Sequence, residues 1–333
     1  MPNFAPSLIA VLLWGAMFTI AATAIDRVDA VNLTAVRYVI ASALFLALLA
    51  AVEGRESLRL DGRLRHTFYI GTAGFAGFNL LSFAALERVS PEQAALVVAT
   101  TPLVTLLFRW AREGVRPTGV QLACVVVAFT GVALVLTGGD LGSIIDGGLG
   151  IGHLMVFGAV VAWVRYIVGT ADFPEWSPLR FSALTASLGT LSIVAIALVA
   201  DVAGWLSPPS AGDLGAILPQ MAYLVFGGAI VAVLSWNSGI RRLGPANAAL
   251  FMNLVPVVAF AIEAARGTNP SPVEVAGAAL TVAALVVANV AGRRASARQA
   301  AQERDDGLDE VVGLGGGGER VEVARARAAV DQH

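Results

Sequence analysis

The chain contains no lysine: all 22 of its Lys+Arg positions are arginine, so no lysine Schiff base can form anywhere in it. It has one cysteine, Cys124, inside an apolar run, which excludes an intrachain disulfide and reads as a small packing residue. Its three histidines, His66, His153 and His333, show no metal-ligand spacing, and no G-x-S-x-G nucleophile elbow occurs. Charge is scarce too, at 14% of residues against 57% hydrophobic, with mean hydropathy +0.75. That is far more apolar than a domain with a wet surface, so the solvent for most of the chain is lipid. The formal net charge of -2 hides a segregation of arginines into the breaks between apolar stretches.

Those stretches are what the sequence has in abundance. A hydrocarbon core about 30 Å thick needs about 20 apolar residues per helical crossing. Such runs fall at Ala5 to Ile25, Val31 to Val52, His66 to Leu86, Glu92 to Ala111 and Thr118 to Thr137. After a Gly/Asp-rich break at 138–148 they resume at Leu149 to Thr170, Leu179 to Val202, Ile217 to Ile240, Ala246 to Ala265 and Val273 to Gly292. The first run lacks a basic n-region and has spanning length, so it reads as a retained helix rather than a signal peptide. From 293 to 333 the composition turns to Arg, Glu, Asp and Gly, which predicts a disordered tail. Gly313, Gly315 and Gly318 match G-x-G-x-x-G there but sit in a glycine run with no strand before them, so they make no nucleotide site.

Arginines in short loops stay in the cytoplasm. Arg55 to Arg65, Arg109 to Arg116, Arg241 with Arg242, and Arg293 with Arg294 fall on one side; Arg27, Arg88 and Arg266 fall on the other. Both termini are therefore expected on the cytoplasmic face of a cell inner membrane. One loop, with Asp172 and Glu175, is acidic on the expected inner side.

The halves repeat. Arg88-Val89-Ser90-Pro91, then Ala94-Ala95-Leu96 and Pro102, recurs as Arg242-Leu243-Gly244-Pro245, then Ala248-Ala249-Leu250 and Pro256. Both prolines keep one offset, 245 − 91 = 154 and 256 − 102 = 154. A repeat unit of five crossings is odd, so the second copy enters the membrane from the opposite side. The expectation is an all-α integral membrane protein of ten transmembrane helices in two inverted five-helix repeats, 1–137 and 149–292. Two inverted halves supply two conformers of similar free energy, open to either side, which points to transport by alternating access.

Trp14-Gly15 in the first helix, Arg37-Tyr38 in the second, the Arg88 to Pro102 hairpin, Gly131-Val132 closing the fifth, and their second-half echoes resemble the drug/metabolite transporter superfamily, in its EamA-type branch. The resemblance implies a central cavity lined by the first, third, fourth, sixth, eighth and ninth helices. It implies a peripheral fifth and tenth that can serve a homodimer, and export of amino acids, metabolites or drugs. The partners expected are a small-molecule substrate and the lipid bilayer, with no nucleic acid, cofactor or metal.

A polar group in hydrocarbon must find a partner or face water, so intramembrane polar residues are the candidates for a solute site. Asn79, Ser82 and Phe83 lie on neighbouring faces of the third helix; Thr100 and Thr101 precede Pro102, and Asn253 precedes Pro256. Each proline removes a backbone hydrogen bond, marking a helix break or hinge with carbonyls free for a ligand. The blander reading of Thr and Asn is bonding between helices. Trp14, Trp163, Tyr166 and Trp236 lie on helices that the resemblance places around the cavity, where aromatic walls bind apolar or ring-bearing solutes. For Trp14 and Trp163, lining and tight packing both remain open, while Trp110, Trp176 and Trp205 fit an interfacial belt. Arg37 and Arg165 read as snorkelling or structurally paired, with a substrate carboxylate as the other reading for Arg37. No Asp or Glu falls near the middle of a crossing, which argues against strong proton or sodium coupling. The alternatives are a membrane-embedded enzyme of lipid metabolism, for which no catalytic machinery is visible, and a non-transporting scaffold, which stripes such as Gly71, Gly74 and Gly77 would permit.

Overall fold

The computed structural model describes residues 4–291 except 26, 87, 90–93, 95–96, 115, 141, 143–149, 266, 268 and 289, and leaves out the side chains of 18, 19, 22, 83, 86 and 263. The tail, and most of the break at 138–148, lie outside the described residues. The chain divides into a unit of residues 1–285 and a unit of 286–333, whose described residues are helical.

Among the described residues the fold is all helical. Helices α1 (Ala5–Ile25) and α2 (Ala30–Val52) are followed by α3, a rod of Leu64–Gly71, a π-helical stretch Thr72–Gly77, and Phe78–Leu86. Then come α4 (Thr101–Glu113), α5 (Gly119–Thr137), α6 (Ile151–Gly169) and α7 (Pro178–Val202). A second composite rod, α8, runs through Leu218–Ala222, a π-helical Tyr223–Val231 and Ala232–Leu243. The next, α9, runs through Pro245–Ala249, a 3-10 stretch Leu250–Asn253 and Leu254–Ala265, and α10 is Pro272–Ala288. Among the described residues, six helices are long and apolar enough to cross a membrane, and shorter apolar helices accompany them.

Local chemistry sets the ends. Asp29 caps α2 by accepting from Val31 and Asn32, Thr118 and Gln121 form a capping box on α5, and Ser177 caps α7 just before Pro178. Left-handed Gly114 and Gly138 close α4 and α5. Proline explains a break in the fourth element: Ala94, Val97 and Val98 are helical, Ala99 and Thr100 form a turn, and the helix resumes at Thr101 with Pro102 in its first turn. Pro256 likewise follows the 3-10 stretch in α9.

The helices pack as α2 on α7, α3 on α6 and α7, α1 on α8 and α9, and α4 on α6. Glycines set the closest crossings. A Cβ on Gly189 would fall against the Gly71 carbonyl, and one on Gly71 against the Thr185 carbonyl, so α3 and α7 meet backbone to backbone. Gly131 of α5 and Gly277 of α10 meet in the same way, each facing the other's carbonyl oxygen. The outer faces carry exposed Leu12, Val39, Val126, Leu154, Leu191 and Phe226, a surface suited to hydrocarbon rather than to water.

Candidate functional site

Three tryptophans from three helices meet at the centre. Trp14 of α1 lies edge-on to Trp163 of α6 with centroids 5.7 Å apart, and Trp236 of α8 is 5.3 Å from Trp14 and 6.2 Å from Trp163. Tyr166 stacks on Trp163 at 5.1 Å, one turn along α6. Trp14 donates its indole N–H to the Gly228 carbonyl at 3.0 Å, tying α1 to the π-helical stretch of α8. The other two indole N–H groups, on Trp163 and Trp236, are buried with no acceptor among the described residues.

Beside these rings lies a cavity of about 60 Å³, walled by Trp14, Arg37, Phe75, Asn79, Trp163 and Gly228 among others. Phe75 and Gly228 belong to the two π-helical stretches, so both irregular segments face the same space. Irregular turns of this kind concentrate at functional sites because they re-aim side chains and loosen the backbone ladder. Arg37 donates to Asn79 Oδ1 at 3.0 Å and lies over the Tyr38 ring at 4.4 Å; at 4% exposure it is paired and enclosed rather than snorkelling. Asn79 in turn donates to the Phe75 carbonyl at 2.7 Å.

A second cavity of about 330 Å³ opens toward the arginine-rich end, between Phe173, Trp176, Asn237, Ile240 and Gly244. Tyr166 separates the two. Its ring stacks on Trp163, and its hydroxyl accepts from Asn237 at 2.7 Å, while the same amide also reaches Ser182 Oγ at 2.7 Å. Asn237 and Ser182, both buried, were missed by sequence reading, though Asn237 directly follows Trp236.

Ion pairs tie the elements at this end together. The Asp172 carboxylate receives Arg112 at 2.7 Å, His66 at 2.9 Å and Arg165 at 3.3 Å. Arg63 donates to the Asp172 carbonyl at 2.9 Å and pairs with Glu175 at 2.8 Å; Arg180 pairs with Asp61 at 2.6 Å. The acidic loop is thus neutralised by arginines from α3, α4 and α6. Trp176 differs from the interfacial expectation: it is 2% exposed, packed on Phe173 and beneath Arg180. At the opposite end the Asn32 amide donates to Asp29 at 2.9 Å and Asp201 at 3.0 Å, joining α2 to α7.

The remaining sequence candidates are placed as follows. Thr100 and Thr101 donate their hydroxyls to the carbonyls of Val97 and Val98; Pro102, having no N–H, leaves the Val98 carbonyl without its usual helical donor, whereas the Val97 carbonyl also accepts from the Thr100 N–H. Asn253, fully buried in the 3-10 stretch before Pro256, has no partner for either amide atom among the described residues. Ser82 Oγ is also unpartnered there, and the Phe83 side chain lies outside the described residues.

The sequence matches the family model described as EamA-like transporter family over residues 6–137 and again over 150–290. The uncharacterised transporter YrdR of Bacillus subtilis is 28% identical over 305 residues, 90% of this chain and 95% of that one. A second from that organism, YyaM, is 30% identical across 83% of this chain and 89% of its own length. A probable terminal-alkyne amino-acid exporter of Streptantibioticus cattleyicolor is 24% identical over 86% and 94% respectively. A solved crystal structure shares the fold with a TM-score of 0.69 at 23% identity, covering 88% of this chain and 98% of that chain.

Proposed function

The chain belongs to the EamA-like transporter family, a multi-pass membrane protein family, and from that premise we propose that it carries a small amphipathic or aromatic metabolite across the cell inner membrane by alternating access, with net export. The observation that carries this reading is the central cavity, walled by tryptophans and closed toward the arginine-rich end by Tyr166 and the Asp172 ion pairs. At about 60 Å³ it holds about two waters, whereas small-molecule sites run to roughly 300–1,000 Å³. A solute enters only if the walls move apart, which is what an alternating-access carrier does between its two open states.

Support for two inverted repeats, 1–137 and 149–292, comes from the family model matching twice and from the packing. Exchanging α1 with α6, α2 with α7, α3 with α8 and α4 with α9 turns α3 on α6 into α8 on α1, and α1 on α9 into α6 on α4, all observed pairs. The π-helical stretches of α3 and α8 correspond under the same exchange. Cytoplasmic termini are supported by the arginine-rich breaks converging on one end. A homodimer through the outer faces of α5 and α10 belongs to the same reading; their glycine faces are already used on each other.

The test is an efflux assay over a metabolite panel, in cells lacking their own exporters, comparing the native chain with Trp163→Ala and Asn79→Ala. The native chain lowers retention of at least one aromatic or amphipathic solute and both variants restore it. Equal retention of the whole panel with and without the chain refutes transport.

A further inference from the structure

We propose that the central cavity is a carboxylate site: Arg37 holds the anionic end of the transported molecule, and the neighbouring tryptophans hold its aromatic or bulky apolar body. This rests on the transport reading above and adds the charge of what is carried.

A guanidinium is a donor-only group with five N–H donors and no acceptor of its own. A buried charge left unpaired is among the most unfavourable arrangements a membrane protein can hold. Yet every partner of Arg37 among the described residues is neutral: Asn79 Oδ1 at 3.0 Å, the Met17 sulfur at 3.6 Å and the Tyr38 ring. Its Nε–H is buried with no acceptor there, and no ion pair there involves it. Arg63, Arg112, Arg165 and Arg180, all more exposed, each meet a carboxylate. Arg37, more deeply buried than these four, meets no carboxylate among the described residues.

The cavity around it repeats the imbalance. Among the described residues no Asp or Glu lines it, and the one side-chain amide oxygen in its wall, Asn79 Oδ1, already accepts from Arg37. Trp163, another wall residue, has an indole N–H without an acceptor. Donors in surplus and acceptors in deficit describe the complement of a carboxylate, which offers about four lone-pair sites and takes a guanidinium in bidentate fashion. A cationic solute would meet Arg37 with no counter-charge beside it. A purely structural arginine would gain more from a carboxylate on a neighbouring helix, or from replacement by an apolar residue.

The experiment is calorimetric titration of the full-length chain in lipid nanodiscs with three probes: indole-3-acetate, its neutral isostere indole-3-acetamide, and tryptophan. The acid binds about tenfold or more tighter than the amide, and Arg37→Gln brings that ratio close to one, while Arg37→Lys keeps a reduced preference. Tryptophan separates the two sources of the group. Binding like that of the acid supports an amino-acid carboxylate, and weaker binding supports a simple carboxylic acid. Equal affinity of acid and amide in the native chain overturns the proposal even if Arg37→Gln fails to fold, as does a preference that survives in Arg37→Gln, or binding of neither probe. Acid and amide bound equally leave the transport reading standing, because the efflux assay tests it separately.

Discussion

Replacing Asp172 with Asn should open the arginine-rich end. Its carboxylate ties the loop after α6 to Arg112 of α4 and His66 of α3, at 2.7 and 2.9 Å, and these two contacts must break when that end parts. The Arg165 contact stays within the segment that carries Asp172 and drops out of the difference. Arg112 and His66 are 39% and 40% exposed at the side chain, so each contact contributes only about 0.5–1 kcal/mol after solvent screening. Losing both removes roughly 1.4 kcal/mol from the closed state, a shift of about tenfold in the open-to-closed ratio. Ile240 is 2% exposed and lines the second cavity, which makes it the reporter: Ile240→Cys in a Cys124→Ser background, labelled by a membrane-impermeant thiol reagent in vesicles of each orientation. In Asp172→Asn the labelling rate should rise about tenfold, in vesicles exposing that end only. An unchanged rate, or a rise in both orientations, would refute the idea that this carboxylate holds the end shut.

Three further outcomes follow from packing and polar balance. Gly189→Ala places a methyl against the Gly71 carbonyl, so the α3 to α7 crossing must widen at a cost of about 1–3 kcal/mol; an unaltered midpoint of thermal unfolding in detergent would contradict the close approach. Asn253→Leu removes two buried amide atoms that have no partner among the described residues and should raise stability by about 1–3 kcal/mol while lowering transport. A fall in melting temperature would show that the amide has a partner after all. Thr101→Val removes the hydroxyl that satisfies the Val98 carbonyl and should cost about 1 kcal/mol, with unfolding in urea as the measurement and no change as the contrary result.

How much of this was legible in the sequence depends on range. Helix limits were readable because the bilayer imposes length and apolarity on each segment: Ala5–Ile25 coincides with the sequence reading, and α2, α5 and α7 begin within one residue of it. Trp14 and Trp163 stand inside apolar runs of the sequence and are buried in the structure; that their rings lie 5.7 Å apart was not readable, because it depends on which helix faces meet. Asp172 looked anomalous on the expected inner side because two of its partners, Arg112 and His66, lie 60 and 106 positions away along the chain, although Arg165 is seven away. The readings of Arg37 could not be separated until Asn79, 42 residues on, fixed the direction of its side chain. The π-helical stretches left only a weak trace, the glycines of Thr72–Gly77 and Tyr223–Val231, since no residue type demands that geometry.

The fixed guanidinium at the centre has a consequence for the cell as a whole. Any carrier sitting in an energised bilayer risks becoming a leak for hydronium and sodium, draining the gradients on which the rest of metabolism depends. A permanent positive charge in a space holding about two waters repels both ions on electrostatic grounds, as arginines do in water-selective pores. On that proposal, the residue that welcomes an anion would also insulate the membrane while the carrier stands idle.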